Sequence, residues 1–205
     1  MAVLIAPTKS NLMKAKASLI LSKSGFELLD QKRNVLIKEM MDLSDKAKDI
    51  QANINVLFAE AYEALQLANI TLGIKNVEDM TYGIPNDEAF EILLKSVMGV
   101  DIPIIKFKEK DISPAYGFYN TNVSLDHARK KFNEVHYKIY ILAEIENSIF
   151  KLAKEIEKTN KRTNALKHVQ IPKYQAQVKQ IQEVLEEKER EDFFRLKRVK
   201  KKLRQ

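Results

Sequence analysis

From Leu12 to Ala68, apolar residues recur in a strict three–four alternation, and no other feature constrains the fold as tightly. One series runs Leu12, Leu19, Phe26, Arg33, Met40, Ala47, Ile54, Ala61 and Ala68. The other runs Ala15, Ser22, Leu29, Leu36, Leu43, Ile50, Leu57 and Ala64. Of these 17 positions only Ser22 and Arg33 are not apolar. Lys, Glu, Asp and Gln crowd the positions between them. A seven-residue repeat held this long gives a narrow apolar seam that only a partner helix can cover, under left-handed supercoiling. The spacing therefore predicts a long N-terminal helix within residues 1–72.

The placement of helix breakers agrees. Between Thr8 and Leu72 the only glycine or proline is Gly25, and from Phe118 to Gln205 it is Pro172. Seven of the ten glycines and prolines fall between residues 73 and 117. A sandwich, a barrel or an alternating α/β fold needs many turns, and these long stretches offer almost no residues to make them.

A second seam follows in residues 118–205: Leu125, Ala128, Phe132, Val135, Ile139, Leu142, Ile145, Ile149, Leu152 and Ile156. Its phase shifts at Leu142–Ile145–Ile149. It turns polar near Thr159, Thr163 and Gln170, and resumes at Val178, Ile181 and Leu185, then at Leu196, Val199 and Leu203. Pro172 removes a backbone donor and is expected to bend or interrupt this helix. Asn122 or Ser124 can cap its start, and Thr8 after Pro7 can cap the first helix.

Within 73–117 a β-hairpin is expected near 90–107. Gly99-Val-Asp101 reads as its turn and Ile102-Pro-Ile-Ile-Lys-Phe107 as a strand with an edge proline. The fold class is thus mainly α: two long helices in an antiparallel left-handed coiled coil, with a short β-hairpin in an irregular middle, forming one elongated domain. The core seam is expected at Leu29, Leu36, Met40, Leu43, Ile50, Ile54, Leu57, Val135, Ile139, Leu142, Ile149 and Ile156. Arg33 is read as an arginine that snorkels out of the seam and fixes its register.

Charge is segregated along the chain. The net charge is +7, from 35 basic and 28 acidic residues, and residues 193–205 alone carry seven basic groups and no acid. They include Arg195, Lys197, Arg198, Lys200, Lys201 and Lys202. The opposite terminus contributes Lys9, Lys14 and Lys16. If the two helices are antiparallel, both basic segments gather at one tip. Such a tip suits an acidic protein partner, nucleic acid or an anionic membrane surface. Phe193 and Phe194 read as packing residues.

Chemistry is hard to find. No phosphate-binding loop, dinucleotide fingerprint or zinc-protease motif occurs. The sequence has no cysteine, which removes disulfides, thiolate metal sites and cysteine nucleophiles. His127, His136 and His168 do not recur at metal-ligand spacings. No catalytic residue, cofactor or metal is expected. No apolar run is long enough to cross a membrane.

Four stretches resemble one family. Ala6-Pro-Thr-Lys-Ser-Asn-Leu12 is similar to its opening, and Val97-Met-Gly-Val-Asp-Ile-Pro103 to its V-M-G-V-x-[IV]-P segment. Glu155-Ile-Glu-Lys-Thr-Asn-Lys-Arg-Thr-Asn-Ala-Leu166 resembles E-I-E-K-T-x-x-R-x-N-A-L, and Glu189-Arg-Glu-Asp-Phe-Phe-Arg-Leu-Lys-Arg-Val-Lys200 resembles E-R-E-[ED]-x-F-R-L-K-x-[VI]-K. The family is the D subunit, the central rotor axle of V-type and archaeal A-type rotary ATPases (ATP synthases). The resemblance implies a non-catalytic shaft that turns inside a ring of three A and three B subunits and couples ATP hydrolysis or synthesis to ion transport. It implies that the basic tip lies inside the ring, that the F subunit binds the side of the coiled coil, and that a membrane-side socket subunit receives the other end. It implies a cytoplasmic location, peripheral to the membrane, with no membrane insertion and no nucleic acid. The alternative reading is a coiled-coil adaptor that binds nucleic acid or anionic membrane through the basic tip.

Overall fold

The computed structural model describes residues 6–84, 90–108, 116–117, 119 and 121–203. The elements in order are helix α1 (Lys9–Leu72), helix α2 (Ile74–Thr81), strands β1 (Phe90–Val97) and β2 (Val100–Phe107), helix α3 (Val123–Ala165), a π-helical turn (Leu166–Gln170) and helix α4 (Ile171–Lys202). As predicted, the fold is mainly α, a long helical hairpin with a short two-stranded antiparallel sheet in the middle of the sequence.

Local chemistry sets the bounds of α1. The Thr8 hydroxyl accepts the Asn11 N–H at 3.2 Å, and the Asn11 amide reaches back to the Ala6 carbonyl at 2.8 Å. These bonds satisfy groups that a helix start leaves unpaired. At the other end Gly73 adopts φ 82°, a conformation that costs any residue with a Cβ. Its N–H still donates to the Asn69 carbonyl at 3.0 Å, and its own carbonyl accepts the Val77 N–H at 3.2 Å. One residue thus ends α1 and starts α2.

The residues divide into two compact units. One holds α1 through Val35 and the chain from Ile156 onward, and the other holds Leu36–Glu155.

In the second unit α1 and α3 pair antiparallel. Glu60 meets Lys131 at 2.7 Å, and the Tyr62 ring meets Phe132 edge-on at 5.7 Å. Leu36, Ile54, Ala61, Ala64, Val135 and Leu152 are buried between the helices. The small residues at 61, 64 and 68 fit the closer approach of two backbones. Ala68 joins Val77 of α2 and Leu125 of α3 in a buried cluster, with Leu65, Leu72, Met80 and Tyr116 around it. The Tyr116 hydroxyl donates to Asp126, and the Arg129 guanidinium lies 5.5 Å over the Tyr116 ring.

The hairpin belongs to this unit as well. Its register runs from Phe90 opposite Phe107 to Val97 opposite Val100. The turn is therefore Met98-Gly99, a correction to the expected Gly99–Asp101. Both residues have positive φ, 52° and 77°, as a type I′ connection demands. Tyr137 and Tyr140 of α3 stack on Phe107 and Phe90. The Ile105 N–H points away from β1 and donates to the Glu144 carboxylate at 2.8 Å. Pro103, two residues earlier, shares that outward edge, so its missing donor leaves no gap in the ladder.

In the first unit Arg33 lies 26 % exposed, reaches Asp30 at 2.6 Å and donates to the Asn160 side chain at 3.3 Å. Thr159 and Thr163 are buried, and the Thr163 hydroxyl is satisfied by the Thr159 carbonyl at 2.8 Å. Lys9 at the start of α1 meets Glu189 of α4 at 3.0 Å. Pro172 follows directly after the π turn, in which the Ile171 N–H donates to the Leu166 carbonyl five residues back.

Candidate functional site

The burial of the two seams decides which surfaces are left for partners. All 17 heptad positions of α1 are buried or half-buried, Leu29, Met40, Leu43, Ile50 and Leu57 among the half-buried ones. On α3, Leu142, Ile149 and Ile156 are half-buried. Ile139 is different: it is 41 % exposed, a correction to its expected seam place. Two successive three-residue steps, 139 to 142 to 145, run ahead of the 3.6-residue turn. The position before them swings out to the rim. Ser148 takes a buried place instead, its hydroxyl bonded to the Glu144 carbonyl at 2.7 Å.

At the terminal end, Lys9, Lys14 and Lys16 are exposed on α1, and Arg195, Lys197, Arg198, Lys200, Lys201 and Lys202 are exposed on α4. Because Lys9 lies against Glu189, the stretch from Arg190 to Lys202 continues beyond the first turn of α1. Arg195 is shared between Glu191 at 3.6 Å and Asp192 at 3.7 Å. Among the described residues, Lys197, Arg198, Lys200, Lys201 and Lys202 meet no carboxylate. Their charge is therefore fully available to a partner.

This tail is apolar as well as basic. Phe193 is 66 % exposed and Phe194 60 %, with Leu196, Val199 and Leu203 likewise open to solvent. The expectation that the two phenylalanines pack within the chain is corrected: α1 has ended before it can cover them. The three-residue spacing of Phe193, Leu196 and Val199 is the sequence signal for an exposed stripe, and the basic residues around it mask that signal. A helix that shows both an apolar stripe and unpaired cations is built to be enclosed by another surface.

Other chemistry is sparse. Among the described residues no group of three His, Asp or Glu side chains is placed to hold a metal ion. No helix there is long and apolar enough to cross a membrane. Few titratable groups are perturbed. Burial first, and then Asp126, pushes the Tyr116 phenol upward, against the pull of Arg129. The bond to Glu60 raises Lys131, and the bond to Lys161 lowers Glu157.

The family model for the ATP synthase D subunit matches residues 11–201. The chain belongs to the ATP synthase D subunit family. It is 42 % identical over 199 residues to the D subunit of the V-type ATP synthase of Thermotoga neapolitana, covering 97 % of this chain and 98 % of that one. It is 38 % identical to the D subunit of the A-type ATP synthase of Pyrococcus abyssi, covering 96 % and 93 % of the two chains. The A-type D subunit of Thermococcus sibiricus is 37 % identical over the same shares. The central-stalk role in a V/A-type rotary ATPase follows from this membership, and nothing in the fold favours a nucleic-acid or membrane adaptor. As a member of this family, the chain carries its open basic and apolar tail at the end formed by both termini.

Proposed function

We propose that this chain is a non-catalytic shaft whose terminal end turns inside a ring of three A and three B subunits. The F subunit would grip the side of the helix pair, and a membrane-side socket subunit would hold the end formed by α2 and the start of α3. The protein would work on the cytoplasmic face, peripheral to the membrane. The observation that carries this reading is the family match across residues 11–201.

The physical argument supports it. A shaft must resist twisting, and a continuous seam between two helices resists it. Its contacts with the ring must be remade at each step, so no single one can be a deep anchor. Exposed cations on a thin helix attract an acidic sleeve at long range and exchange partners readily. Each nucleotide state of the ring would favour one shaft angle, and by reciprocity the angle would bias nucleotide affinity.

Reconstitution tests the proposal. Mixing the full chain with an A/B ring is expected to give a stable complex with altered ATPase turnover and visible rotation of a probe fixed to the α2 end. A ring that neither binds the chain nor changes its turnover would refute it.

A further inference from the structure

We propose that the π-helical turn Leu166–Gln170 is a phase-setting joint that stores one residue more than the heptad seam needs, and that Pro172 and Gly25 are the residues that hold it there. The excess can be counted. A three–four alternation through Thr159, Thr163, Leu166 and Gln170 continues to Lys173, Gln180 and Val184, and all three are exposed. The residues that turn inward lie one place later: Tyr174, Val178 and Leu185 are half-buried and Ile181 is buried. A single extra residue in an uninterrupted α-helix would rotate everything beyond it by about 100° and carry this face off α1. The π turn absorbs that residue, because each of its hydrogen bonds spans five residues instead of four. The bond from the Ile171 N–H to the Leu166 carbonyl is of this kind.

Two neighbours explain the position. In an α-helix Pro172 would leave the His168 carbonyl without a donor and press its ring against it. A wider turn just before the proline relieves both. Across the seam lies Gly25, where an added Cβ would meet Leu166 Cδ1 at 3.9 Å. A small residue therefore faces the widened turn. Because the whole tail lies beyond the joint, the direction in which Phe193, Leu196 and the unpaired cations face is set at Leu166–Gln170. This holds for the chain itself, whatever the tail meets.

Deleting His168, an exposed residue of the turn, tests the joint in the purified full chain. If the turn stores a spare residue, removing it and relieving the proline restores a plain α-helix with its seam in phase. The chain with His168 deleted and Pro172→Ala should melt no lower than the parent. Deletion of His168 alone forces Pro172 into an α-helical turn and should lower the melting temperature by roughly 6–12 °C. Insertion of one alanine after His168 should lower it too. Phase is read separately. Leu19 and Val178 line one cleft, and the chain has no cysteine, so Leu19→Cys with Val178→Cys offers a unique site for a short bis-maleimide. The cross-link should survive in the deletion with Pro172→Ala and be lost in the insertion. If the deletion with Pro172→Ala loses both stability and cross-link, the turn holds no spare residue and the proposal fails.

Discussion

Gly25 shows how a single residue can work against the element that contains it. A helix-interior glycine costs about 1 kcal/mol relative to alanine, and the 3.9 Å approach to Leu166 leaves room for one methyl group. Gly25→Ala should therefore raise stability by about 1 kcal/mol in a denaturant melt, whereas Gly25→Leu should lower it by crowding the π turn. Met98 is the converse case, a bulky side chain at φ 52°. Met98→Asn places a residue that tolerates the left-handed region ahead of Gly99. It should stabilise the turn by roughly 1 kcal/mol, read as slower amide exchange in β1 and β2. Tyr116 supplies a pH dependence. Its phenol is raised above the ordinary value of about 10, because burial and the bond to Asp126 favour the protonated form. The stabilisation it gives is therefore complete below pH 10 and declines as pH rises through the raised value. An ultraviolet titration should show one late tyrosine that disappears in Tyr116→Phe. None of these three features is legible in the sequence. Each depends on what a residue faces across the fold, and periodicity does not carry that.

At the scale of elements, the long-range pattern is legible and the short one is not. The heptads name the inward face of α1 because eight repeats average out local exceptions such as Ser22 and Arg33. Leu36 is fully buried, so Leu36→Ala should cost about 2–5 kcal/mol and Leu36→Asp should unfold the helix pair, measurable as lost helicity. Helix α2 leaves no mark in the sequence because eight residues offer only Val77 and Met80 as an apolar face, too short a run to show a period. The hairpin is legible but its turn is not, because glycine draws the reading toward Gly99-Val-Asp and away from Met98. The exposure of Ile139 and the π turn share one cause. Both lie where α3, the π turn and α4 depart from the three–four alternation, and a helix can take up such a departure by over-winding or by widening.

For the whole molecule, the tail is the part that meets the ring, and it holds charge and an apolar stripe in one helix. The two parts should fail differently. Removing residues 193–205 removes a segment whose described side chains are all exposed, so the rest of the chain should keep its helicity and melting behaviour. Reconstituted with an A/B ring, however, the shortened chain should couple poorly. Neutralising Lys197, Arg198, Lys200, Lys201 and Lys202 to Gln should mainly slow association and flatten its salt dependence. Charges on exposed side chains act at distances comparable to the Debye length, about 10 Å at 0.1 M salt. Phe193→Ser with Phe194→Ser should leave the association rate nearly unchanged and speed dissociation, because buried apolar area acts only after contact. Stopped-flow association at two salt concentrations, with turnover measured on the same complexes, separates the two. If the charge variant associated at the parental rate with the same salt dependence, the cations would have no steering role. The apolar stripe alone would then hold the tip in its sleeve.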